Sequence, residues 1–192
     1  MGDVIAYRPK PDPSQSGPKV GMILFLSAWG MLFVSLFFTW AFVRAQADVW
    51  PPPDTPTMPR HIAWLATAAV ALCAAAWFGA NRLTRAGRRQ AVAPALALAF
   101  LSGAAFVGLH AWAIVVGRQI RMGGSYGSLF MTMLFFHALL AATGLPAPVV
   151  LFRRALRGLY SPQRHIGIRV WGAYWYFTAA LWVVMFGVLY FL

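Results

Sequence analysis

Few side chains in this sequence could do acid–base or metal chemistry, and they are scattered. There are four histidines, His61, His110, His137 and His165, one cysteine, Cys73, and four carboxylates, Asp3, Asp12, Asp48 and Asp54. A haem, copper, zinc or non-haem iron site needs several such ligands converging at one depth. No two of the histidines stand three or four residues apart, so no helix face supplies two ligands. A lone Cys73 excludes an intrachain disulfide and a cysteine-built metal site. Proton relays through membranes use buried carboxylates, and all four aspartates fall outside the apolar runs. His110 and His137 lie inside such runs. They read as neutral imidazoles hydrogen-bonded to a neighbouring helix rather than as ligands.

The elements that carry these residues follow from composition. The chain of 192 residues is 60% hydrophobic and 10% charged, with a mean hydropathy of +0.65, whereas soluble domains carry about 25% charged residues. Five uncharged runs are long enough to span a bilayer, which takes about 20 apolar residues. They are 20–43, 62–80, 92–117, 128–152 and 170–192, and none contains Asp, Glu, Lys or Arg. The runs are continuous rather than alternating, so the expected fold is all-α, a polytopic bundle of five transmembrane helices. Residues 1–19, with Pro9, Pro11, Pro13 and Pro18, read as a polar tail without a fold of its own. Residues 20–192 form the transmembrane domain. Pro146 and Pro148 remove backbone donors and are expected to bend or weaken the fourth span.

Charge gives the orientation. The 16 Lys and Arg against 4 acids leave a net charge of +12, which in a soluble protein would suggest nucleic acid. Here the charges sit between apolar runs, so anionic lipid is the expected counter-charge and no nucleic-acid partner is expected. Twelve of the sixteen lie on the side of the N-terminal tail, and Arg44, Arg60, Arg118 and Arg121 lie on the other. The positive-inside rule then places the N-terminus in the cytoplasm and the C-terminus outside. Small residues, among them Gly103 with Val107, Ala104 with Gly108 and the alanines of the second span, mark where helices could approach closely.

Four blocks in order carry a specific resemblance. Val20-Gly21-Met22-Ile23-Leu24-Phe25 opens the first span and Trp50-Pro51-Pro52 follows it. Tyr126-Gly127-Ser128 precedes a helix with Phe136-His137. The stretch Arg154 to Gly167, reading RALRGLYSPQRHIG, precedes a last span with Tyr174-Trp175 and Trp182. Together they resemble cytochrome c oxidase subunit III, in its five-helix bacterial form.

The resemblance implies a haem-copper oxidase subunit without redox centres, in a bacterial plasma (inner) membrane. It would pack beside catalytic subunit I, with subunit II and other subunits as further partners. Haems and copper would belong to those partners, and phospholipid would fill an interhelical cleft. It implies lipid contacts for Arg154 and His165, and the neighbouring Arg157 adds to the same basic patch. Such residues attract anionic headgroups by about 1 kcal/mol each. His137, Tyr126, Trp50, Trp175 and Trp182 are expected in structural or partner packing.

The departures are all of one kind. A Ser-Glu pair of the family falls on Ala28-Trp29, and a glutamate falls on Ala113. A second histidine falls on Leu140, and a His and Asp of the last helix fall on Tyr176 and Ala179. Ionisable groups have left the membrane, which points to a stripped-down structural subunit. Two other readings stand beside it, an accessory subunit of nitric oxide reductase and a free-standing lipid-binding or transport protein.

Overall fold

The computed structural model describes residues 13–53, 55–56, 58–119, 124–163 and 165–191. Among them all regular structure is helical. The order is α1 (Pro13–Ala45), α2 (Arg60–Arg85), α3 (Arg89–Gln119), α4 (Gly124–Gly144), α5 (Pro146–Leu156) and α6 (Ile166–Phe191). Five stretches are long and apolar enough to cross a membrane, α4 and α5 together making one of them. The expected five-span bundle is what the chain forms.

The helices outrun the apolar runs. α2 starts at Arg60 and ends at Arg85, and α3 starts at Arg89 and ends at Gln119. Arginines at the ends fit because a long aliphatic stem stays with the apolar body while the head reaches the headgroup layer. α1 begins at Pro13, so residues 13–19, expected as part of an unfolded tail, are helical. Residues 1–12 of that tail lie outside the described residues.

Pro146 and Pro148 act as expected. α4 stops at Gly144, and Leu145 donates its N–H back to the Ala142 carbonyl. α5 then restarts with Pro146 in its first turn, where a missing N–H costs no helical bond.

Two tight reversals at the arginine-rich end share one device. Gly87 and Gly158 have φ of 70° and 67°. Arg88 N–H bonds the Leu83 carbonyl and Gly87 N–H that of Thr84, while Leu159 and Gly158 repeat the pattern on Arg154 and Ala155. This is the left-handed C-terminal cap, which satisfies the last carbonyls of a helix and favours glycine at the turning residue.

α2 and α3 form the most closely packed pair, and α6 lies across α2, α4 and α1. Hydroxyls inside the spans are absorbed locally: Thr67, Thr84, Ser102 and Thr178 each bond a carbonyl one turn back on their own helix. Trp182 Nε1–H reaches Thr67 Oγ1 at 2.8 Å and ties α6 to α2.

Candidate functional site

At the arginine-rich end, the residues expected to meet lipid separate into two environments. Arg154 and Arg157, at the end of α5, are exposed. His165 is 8% exposed, with both ring nitrogens buried and without a hydrogen-bond partner. Burial holds its pKa below the ordinary 6.5, the charges of Arg169 and Arg85 add to that, and the Ser161 backbone opposes it. Beside it in the loop, Tyr160 is buried, and burial pushes its hydroxyl up to about 12 against the pull of the Arg154 charge. Arg164 lies outside the described residues.

Inside the bundle the two span histidines meet. His110 on α3 and His137 on α4 place Nε2 and Nδ1 3.2 Å apart. Outside this contact, His110 Nδ1 lies 3.1 Å from the Phe106 carbonyl and His137 Nε2 lies 3.1 Å from that of Thr178 on α6. Ring centroids 5.1 Å apart show that the imidazoles meet edge to edge. Two neutral imidazoles bring two N–H groups to these three contacts. Phe33, Phe106 and Trp182 enclose His137, with centroids within 5.9 Å. The pair therefore joins three helices and reaches the chain's own carbonyls, so the expected hydrogen bonding to a neighbouring helix is present.

The aromatic residues expected in packing are placed inside this chain. Trp175 and Trp182 are fully buried. Trp175 occupies a notch whose walls are Gly103 and Gly144; a Cβ at Gly103 would meet its ring at 2.8 Å, and one at Gly144 would meet Tyr174 at 2.5 Å and Trp175 at 3.2 Å. The Tyr174 hydroxyl donates to the Leu140 carbonyl and lies 2.7 Å from Thr143 Oγ1. Trp50 and Tyr126 pack on each other and on Trp40 at the opposite end, with centroids 5.0 to 5.4 Å apart. Gly103 is thus a point of close approach. Gly108 faces open space and Ala104 is half-buried, so that suggested pair makes no internal crossing.

Sequence reasoning did not single out Trp40, the pairing of His110 with His137, or Gly144. The first has an available signal, since Phe33 and Trp40 lie one heptad apart on the buried stripe of α1. The other two depend on how antiparallel helices register, which no local pattern carries.

Where the resemblance would put ionisable groups, Ala113 and Leu140 are buried and apolar. Among the described residues no three His, Cys, Asp or Glu gather as a metal site. The fold and these contacts define a multi-pass α-helical membrane protein whose interior polar groups serve its own packing.

A profile of the cytochrome c oxidase subunit III family matches residues 10–192. Proteins named cytochrome c oxidase subunit 3 from Formosania lacustris and Cyprinus carpio are each 28% identical to it over 182 residues, covering 91% of this chain and 69% of the relative. That from Danio rerio is 27% identical over the same span. The chain belongs to the cytochrome c oxidase subunit III family and is, on that basis, a subunit of a haem-copper oxidase.

Proposed function

We propose that the chain is the non-catalytic flank of its oxidase, packing against and stabilising subunit I, with subunit II and others in the same complex. One observation supports this above the rest: the apolar runs of the spans hold no charged side chain, and the histidine pair inside the bundle is tied into the chain's own carbonyls. On this reading the chain's contribution to the complex is packing and lipid contact. The N-terminus faces the cytoplasm of a bacterial plasma membrane and the C-terminus faces outward, because twelve of the sixteen basic residues fall on the same side of the spans as the N-terminal tail.

On this reading Arg154 and Arg157, exposed at the end of α5, contact the phosphates of structural phospholipid. His165 acts from beneath, holding the loop that presents them.

The test is purification of the tagged full chain in mild detergent. A larger membrane chain with haem absorbance should accompany it, together with phospholipid. Arg154→Ala should strip phospholipid or loosen the partner more than Arg8→Ala does. A chain that runs alone without haem overturns the reading, and equal effects at Arg154 and Arg8 reduce Arg154 to a topology signal. A nitric oxide reductase chain as the companion would assign the protein to that enzyme instead.

A further inference from the structure

The end of the bundle opposite the arginine-rich one holds a cavity of about 600 Å³. The end of α1 supplies Arg44, the following connection Trp50, the start of α2 Arg60, the start of α4 Tyr126, and the end of α6 Tyr190 and Phe191. Both guanidinium groups are without a carboxylate or hydrogen-bond partner among the described residues. The guanidinium carbon of Arg60 lies 5.9 Å from the centroid of the Phe191 ring. Asp48 in the connection is exposed and forms no ion pair among the described residues, and Asp54 lies outside them. The cavity therefore presents two uncompensated positive charges over an aromatic floor.

Arg44 also lines a second cavity of about 350 Å³, walled by Phe37, Trp40, Ala41, Ala45 and Val188. This second cavity is apolar and runs back along α1 and α6, away from the bundle end. Trp40, one turn before Arg44, is 3% exposed, and its buried Nε1–H has no acceptor. A buried donor left unpaired costs about 1 to 3 kcal/mol, so an acceptor at this junction would be stabilising.

Two cavities meeting at one arginine, the first cationic and the second apolar, match an amphiphile with an anionic head. Arginine forks bind phosphate oxygens bidentately, and aromatic rings sit well at headgroup depth. We propose that Arg44, Arg60 and Trp40 form a site for a phospholipid of net negative charge, from which the quaternary ammonium of a zwitterionic headgroup is repelled, in the leaflet opposite the Arg154 patch. The phosphodiester lies between the two guanidinium groups, and an acyl chain passes Trp40 into the apolar cavity. A free phosphate ion would use only the first cavity. The site is built from groups remote from Arg154, Arg157 and His165, and it stands or falls independently of what they bind.

The test reads phospholipid retained by the tagged full chain, purified in whatever complex it forms from nanodiscs of phosphatidylglycerol or of phosphatidylcholine. Native mass spectrometry counts the lipids. Wild type should retain a phosphatidylglycerol that Arg44→Gln/Arg60→Gln holds about tenfold or more weakly, the effect of losing at least one charge-assisted hydrogen bond. Trp40→Phe, which keeps the ring and removes the donor, should weaken retention less. Arg154→Gln should leave this lipid in place, and excess inorganic phosphate should not displace it. Equal retention by wild type and the double variant overturns the proposal. So does full displacement by inorganic phosphate, which would make this a free-anion site, and so does undiminished retention of phosphatidylcholine.

Discussion

α1 and α6 are both long and apolar, with charges only towards their ends, yet 6% of the most apolar part of α1 is buried against 50% of that of α6. The difference lies in shape. α6 carries Trp175 into the Gly103 and Gly144 notch, Trp182 onto the histidine pair and a hydrogen bond to Thr67. α1 offers one narrow stripe, with Phe33 and Trp40 buried, and turns Val34, Phe38 and Phe42 outward. In lipid, apolar surface gains little from leaving hydrocarbon, so close packing and hydrogen bonds decide which helix is inside.

Substitutions on the two helices should separate widely when unfolding of the full chain is followed in lipid nanodiscs. Trp182→Ala should cost the most, about 3 to 5 kcal/mol, because it empties a large core position and removes the hydrogen bond to Thr67. Gly144→Val should cost about 1 to 3 kcal/mol by forcing Tyr174 and Trp175 aside. His137→Leu should cost about 1 to 2 kcal/mol, since His110 Nε2 is then buried without a partner. Phe38→Ala on the outward face of α1 should stay within about 0.5 kcal/mol. If Phe38→Ala matched Trp182→Ala, the contrast between the helices would be lost.

The smallest expected effect concerns pH. His165 has a pKa below 6.5 in the folded chain, so the unfolded state binds the extra proton more readily. Its loop should hold full stability above about pH 6.5 and lose it as pH falls below that value. His165→Gln should flatten this dependence in hydrogen exchange of the Ser161 to Ile166 segment. A stability that instead rises on acidification would reverse the assignment.

The spans were legible because hydrocarbon tolerates few ionised groups, so each crossing leaves a long uncharged run. The break at Leu145 was legible too, since Pro146 and Pro148 state it locally. Helix ends were not, because an arginine stem continues a helix past the last apolar residue. The ranking of α1 below α6 was not legible either, for hydropathy is blind to notches. His110 and His137 could each be read as hydrogen-bonded, but their pairing depends on the register of α3 against α4. His165 reads as a surface residue beside arginines, and its burial is set by tertiary packing that no local pattern carries.

The central claim is that this chain supports redox chemistry performed elsewhere in its complex. Its most direct test is a reduced-minus-oxidised spectrum with metal analysis on the full chain after separation from its partners, still folded in lipid. The expected result is a flat spectrum and no stoichiometric metal, with the haem signal remaining in the partner fraction. Haem or copper that stays with the separated chain at one per molecule would contradict it.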